Sequence, residues 1–213
     1  MNKIIVRVYN RVPERYSSEG TPFGSNAEIY RDIASELRAR AEDIEEAHLA
    51  LYLFNNVHLY RELTDIANSG ARVVVTSLPI GGYDRRKKDA ARRVYDRVLN
   101  ERKIELRIFP HMYVWYEARY AGGGPSYSFH VKAGLVKYAD GSCKAFLTSG
   151  NLAPGDPTHS ETAVFIKAPC TSTYIQPFEA FFSDLEKRSK PFQDYKACLL
   201  YTSPSPRDLS TPR

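Results

Sequence analysis

The sequence has few cysteines, no long apolar run and only a small excess of one charge sign, and each shortage excludes a class of protein. No stretch approaches the roughly 18 consecutive apolar residues that a membrane-spanning helix needs. The opening residues, MNKIIVRVYNRVPERY, lack the apolar core and the small-residue cleavage site of a secretory signal peptide. These absences predict a cytoplasmic protein without a transmembrane segment.

Cysteine is rare, with three residues at Cys143, Cys170 and Cys198. The number is odd, no CxxC spacing occurs, and no histidines cluster near these residues. The pattern predicts three free thiols and argues against a structural zinc. The sequence also offers no cluster of carboxylates that would hold a metal ion, so we expect neither a metal nor a cofactor.

The composition is that of a globular protein, with 213 residues of which 43% are hydrophobic. We expect residues 1–197 to form one domain. The formal charge of +5 is compatible with a phosphate-bearing partner without requiring one. Residues 198–213, CLLYTSPSPRDLSTPR, have no apolar periodicity and are expected to be disordered. This tail resembles translated sequencing-adapter sequence, which leaves open that the chain is a fragment of a longer protein.

Alternating apolar segments predict an α/β fold. A strand over residues 3–8 precedes a helix whose apolar positions recur near every 3.6 residues. The segment HLALYLFNN reads as a buried strand opened by His48, and a short helix beginning at His58 connects it to a second buried strand, ARVVVTSL. A further helix and the strand IELRIF follow. The prediction is a mixed β-sheet sandwiched between helices. The apolar positions of the first helix are Ile29, Ile33, Leu37 and Ile44.

One stretch, YSFHVKAGLVKYADGSCKAFLTSGN, carries the residues of greatest chemical interest. His130 and Lys132 are two apart, so they point to the same face of an extended strand. Asp140-Gly141 is a strong hairpin signal, and the returning strand brings Ser149 and Asn151 back to the level of His130. These residues are therefore either one site or four ordinary polar residues on two strands.

The set of side chains suits phosphoryl chemistry. A neutral imidazole can attack phosphorus, while an ammonium, an amide and a hydroxyl stabilise the charge on the phosphate oxygens. His111 and His159 lie in predicted loops near strand ends and are further candidates for substrate contact. The aromatic segment over residues 109–129 either lines a substrate cleft or forms a partly buried loop.

The motifs HVK, TSGN and SETAVFI, in this order, resemble the H-x-K, G-[ST]-x-N and glutamate pattern of the phospholipase D superfamily. The resemblance implies a phosphodiesterase in which His130 forms a phosphohistidine and Lys132 and Asn151 bind phosphate. It places Ser149 on the Ser/Thr position and Glu161 on the acidic residue that orients a catalytic histidine. The substrate class, phospholipid or DNA/RNA, stays open.

The chain departs from the family pattern in three respects. Lys137 stands where the family has aspartate, and Thr148 stands where it has glycine. Family enzymes also bring two such histidines together, whereas this chain has one motif. The second histidine is expected either from a homodimer partner or from a missing C-terminal half. The alternatives to an enzyme with this complete site are a non-catalytic phosphate-binding domain and a metal-independent nuclease half-domain that acts as a dimer.

Overall fold

The computed structural model describes residues 2–9, 26–52, 54–78, 85–109, 129–152 and 161–194. Four α-helices lie in these ranges: α1 (Asn26–Arg38), α2 (Val57–Asn68), α3 (Arg85–Glu101) and α4 (Gln176–Arg188). The strands are β1 (Lys3–Tyr9), β2 (Ile44–Leu51), β3 (Arg72–Ser77), β4 (Glu105–Ile108), β5 (Lys132–Tyr138), β6 (Ser142–Thr148), β7 (Glu161–Pro169) and β8 (Lys190–Pro191).

The strands form one mixed sheet in the order β1-β7-β6-β5-β2-β3-β4-β8. The pairs β2/β3 and β3/β4 are parallel, while the remaining neighbours run antiparallel. The helices lie on both faces: α1 contributes Ile33 and Leu37 to one face, and α4 places Phe178 and Phe181 against the other. The predicted α/β fold with a mixed sheet between helices is confirmed.

The β5–β6 hairpin forms as its sequence predicts. Gly141 has φ +75°, which glycine adopts without strain, and Ser142 N–H donates to Asp140 Oδ1 over 2.9 Å. Gly134 of β5 lies opposite Phe146 of β6. A Cβ at position 134 would lie 2.2 Å from Phe146 Cε1, so glycine there makes room for the ring. The hairpin therefore holds a fixed register, with Ala133 opposite Leu147.

The first helix and the following strand have other bounds than predicted. Helix α1 ends at Arg38, and Ile44 lies in β2 after a short 3₁₀ turn over Ala41–Asp43. The apolar period continues through Ile44 because that side chain is buried in the strand, so spacing alone did not mark the boundary. His48 accordingly lies within β2 and does not open it, whereas the helix predicted near His58 begins at Val57.

The prediction of free thiols is wrong for two of the three cysteines. Cys143 and Cys170 form a disulfide with a Cα–Cα distance of 5.0 Å. Cys143 pairs with Ala168 across β6 and β7, so the turn after β7 brings Cys170 alongside it. The contact depends on strand register, which is why cysteine spacing in the sequence gave no sign of it. Cys198 and the tail lie outside the described residues. In the described part of the chain, no helix combines the length and apolarity that a bilayer crossing requires.

Candidate active site

The candidate site lies at one end of the sheet's central strands, where β2 ends and β5 begins. Leu51 pairs with Lys132, and Tyr52 N–H donates to Val131 O over 2.7 Å. The parallel strand β3 also ends on this side of the sheet. Open α/β sheets place ligand sites at the carboxyl ends of parallel strands, so the position agrees with that rule.

His130 and Lys132 are in contact, as their spacing predicts. The Lys132 ammonium lies 2.9 Å from each ring nitrogen of His130 and 3.4 Å from its carbonyl oxygen. Lys132 is buried, with 4% of its surface exposed, whereas the imidazole is exposed. A buried cation therefore holds an imidazole that solvent and substrate can reach.

Electrostatics keep this histidine neutral. Partial burial lowers the pKa of His130, the Lys132 charge lowers it further, and Glu161 opposes both effects. Burial also lowers the pKa of Lys132 to about 8, again against the influence of Glu161. Near neutral pH the pair consists of an unprotonated imidazole beside an ammonium, the combination that a nucleophile and a phosphate ligand need.

Ser149 and Glu161 form a second contact beside the pair. Ser149 Oγ donates to Glu161 Oε2 and accepts the Thr162 N–H over 2.9 Å. Glu161 is near enough to raise the pKa values of both His130 and Lys132. The structure thus brings four of the predicted site residues to the same strand ends: His130, Lys132, Ser149 and Glu161.

Asn151 follows the same strand end, and its side-chain Oδ1 is buried without a hydrogen-bond partner. A buried, unpaired amide oxygen costs free energy, and natural structures keep few such groups. Next to it, Leu152 O accepts a hydrogen bond of 2.8 Å from Asn56 Nδ2. The Asn56 side chain also caps helix α2 by accepting from His58 N, which ties the Asn151 segment to the start of that helix.

The two residues that depart from the phospholipase D pattern, Lys137 and Thr148, lie at different distances from the candidate site. Lys137 is at the other end of β5 from Lys132 and pairs with Glu46 at 3.2 Å and with Glu179 at 3.3 Å. It takes no part in the candidate site. Thr148 is adjacent to the site, and its Oγ1 accepts the Gly150 N–H over 3.0 Å, which stabilises the turn that carries Ser149.

Tyr52 is a site residue that the sequence pattern did not reveal. Its ring centroid lies 4.5 Å from that of His130, with the planes tilted by 59°, and 5.4 Å from the Lys132 ammonium. The available signal was its position directly after a buried strand that leads into a helix. His111 and His159 fall outside the described residues. Within the described ranges, no group of three or more His, Cys, Asp or Glu residues could hold a metal.

No family sequence profile and no curated protein sequence matches the chain. Solved structures do match. NucT from Helicobacter pylori superposes with a TM-score of 0.55 at 12% identity, covering 90% of this chain and 99% of that one. Nuc from Salmonella typhimurium, a phospholipase D family member, gives 0.55 at 16% identity, covering 89% and 98%.

A larger protein contains the same fold. Polyphosphate kinase from Porphyromonas gingivalis superposes with a TM-score of 0.51 at 17% identity over 90% of this chain, which spans 27% of the kinase. The chain therefore has the phospholipase D-like fold.

Proposed function

We propose that the protein is a phosphodiesterase in which His130 attacks phosphorus. The observation that carries the proposal is the buried Lys132 ammonium 2.9 Å from the exposed imidazole of His130. The Lys132 ammonium is within hydrogen-bond distance of both ring nitrogens, one of which carries the lone pair of the neutral imidazole. A bound phosphate oxygen would take the ammonium in its place, which frees the ring nitrogen for attack.

The proposed reaction has two steps, formation of a phosphohistidine and its hydrolysis. The imidazole lone pair forms a nitrogen–phosphorus bond while the bond from phosphorus to the leaving oxygen breaks, and that oxygen takes a proton from a general acid. Water then attacks the phosphohistidine, loses a proton to the same group, and releases His130. Lys132 and the Asn151 amide stabilise the charge on the phosphate oxygens throughout.

The general acid is proposed to be the His130 of a second copy of the chain. The proposal rests on the single H-x-K motif of the chain, which supplies one such histidine per copy. The alternative source is a second half of a longer protein. The two differ in a measurable way: an excess of His130→Ala chain mixed with the wild-type chain should lower the activity per wild-type chain only when two chains share one site.

Turnover and covalent trapping test the proposed function. The full chain is incubated with phosphatidylcholine vesicles and, separately, with single-stranded DNA, each in the presence of EDTA. We expect cleavage of one substrate class and a labelled phosphoprotein that His130→Ala abolishes, with a rate loss of roughly 10⁴-fold or more. Phosphate-ester binding without cleavage, unchanged in His130→Ala, would identify a non-catalytic phosphate-binding domain.

A further inference from the structure

Three lysines stand side by side on the sheet face that carries α1. Lys3 of β1 is directly opposite Lys167 of β7, and Lys167 is directly opposite Lys144 of β6. Like charges that face each other across antiparallel strands are destabilising. Among the residues that the structure describes, Glu36 of α1 is the one carboxylate paired with this row, through Lys144. The row therefore keeps a net positive charge.

Protection of a sheet edge does not explain the row. Lysines on edge strands discourage pairing with other chains, and Lys3 lies on the edge strand β1. Lys167 and Lys144, however, lie on β7 and β6, which are both paired on their two sides. An anionic ligand would account for a row of like charges that continues onto inner strands, because it would neutralise their repulsion.

The row borders a cavity between α1 and the sheet. The cavity has a volume of about 230 Å³, and Lys3, Lys144 and Lys167 line it together with apolar side chains. An apolar cavity of roughly 150 Å³ is enough to take up benzene, so this one can hold a short alkyl chain. The apolar side chains of its wall include Ile5, Ile33, Leu37, Val136, Phe146 and Phe165.

We propose that this cavity binds a single alkyl chain with an anionic head group, the chain between α1 and the sheet and the head group on the lysine row. The apolar wall and the charged rim match the two parts of such a molecule, and an ammonium serves both carboxylate and phosphate as a point charge. The site is separate from the candidate active site. Lys132 lies at the start of β5, whereas Val136 and Tyr138 of the cavity lie toward its end.

Calorimetric titration of the full chain with octanoate tests the proposal. We expect one octanoate per chain, and about tenfold weaker binding of octanol, which has the same chain length without the charge. Lys167→Gln should weaken octanoate binding about tenfold and leave octanol binding unchanged. Octyl phosphate is titrated in parallel, and the tighter of the two anions identifies the head group.

Two further variants separate the cavity from nonspecific charge attraction. Ile5→Trp adds volume to the cavity wall and should abolish binding of both octanoate and octanol, whereas Lys187→Gln removes an exposed lysine on α4 and should change neither. Removing one of the repelling charges should also make ligand-free Lys167→Gln at least as resistant to thermal unfolding as the wild type, so its folding is not in doubt. Failure of octanoate to bind, equal affinity for octanol, or unchanged binding in Lys167→Gln would overturn the proposal.

Discussion

The Lys132 ammonium lies 2.9 Å from both ring nitrogens of His130, and it is buried while the imidazole is exposed. Burial and the Lys132 charge lower the pKa of His130, because two positive charges at this distance repel, and burial lowers the pKa of Lys132 to about 8. The pair therefore has one dominant charge state near neutral pH, with the proton on lysine. This relationship fixes the pH range in which the proposed reaction can run.

We expect a bell-shaped dependence of kcat/KM on pH. Activity needs the attacking His130 unprotonated, and it needs Lys132 and the general acid protonated. It therefore rises with pH through the lowered pKa of His130 and falls as the general acid and Lys132, whose pKa is about 8, lose their protons. In Lys132→Met the rate should drop about 10²- to 10³-fold at the optimum. The rising limb should move to higher pH in this variant, because the Lys132 charge lowers the pKa of His130, and an unmoved limb would show that another group causes it.

Glu161→Gln should move both limbs of this profile to lower pH. The Glu161 carboxylate raises the pKa values of His130 and Lys132, so its neutralisation lowers both. Ser149→Ala is the matched variant, because it removes the hydroxyl that donates to Glu161 and retains the charge. If Glu161 acts solely as the hydrogen-bond partner of Ser149, the two variants will lose rate equally and neither will shift the profile.

Tyr52 should act as a positioning residue for the imidazole. Its ring packs on His130 at 4.5 Å, so Tyr52→Leu is expected to lower kcat about 10- to 100-fold with little change in KM, because a displaced nucleophile still leaves the phosphate site intact. Tyr52→Phe keeps the ring and should retain most of the activity.

The control for this substitution is Tyr30→Leu. Tyr30 is also half-buried against the main core, but it lies on α1 near Glu62 and Arg38. This variant loses the same atoms as Tyr52→Leu and should cost stability without changing kcat. Equal losses of kcat in the two leucine variants, or a Tyr52→Phe variant as slow as Tyr52→Leu, would contradict a positioning role.

The site could be predicted from the sequence where it depends on local geometry. The two-residue spacing of His130 and Lys132 and the turn at Asp140-Gly141 determine which side chains share a face, whatever surrounds them. The contact of Tyr52 with His130 depends instead on β2 and β5 being neighbours in the sheet. The sequence separation of these strands hides that contact, and the Cys143–Cys170 bond was hidden for the same reason.

Aspartate at position 137, where the phospholipase D pattern has it, should harm the protein. Lys137 lies between the carboxylates of Glu46 and Glu179, and hydrogen bonds from His48 and then Lys137 lower the pKa of Glu46 to about 2 against the effect of burial. Lys137→Asp would place three carboxylates together and should lower the free energy of unfolding by about 1–3 kcal/mol, without raising kcat. Lys137→Met, which removes the charge and keeps the length, should cost less. A Lys137→Asp variant that is more active and equally stable in urea would show that this position serves the site.

Reduction of the disulfide should lower stability while leaving the site intact. The Cys143–Cys170 bond closes a loop with a sequence separation of 27, and such a constraint on the unfolded chain stabilises a protein by roughly 3–4 kcal/mol. Cys143 lies at the turn end of the β5–β6 hairpin, opposite the end that carries His130 and Asn151. Cys170→Ser is therefore expected to unfold at lower temperature and to keep its kcat at 25 °C.

The comparison is made in a Cys198→Ser background, so that no third thiol can exchange with the bond. Counting reactive thiols under denaturing, non-reducing conditions should give none in that background, and two reactive thiols would mean that the bond does not form in solution.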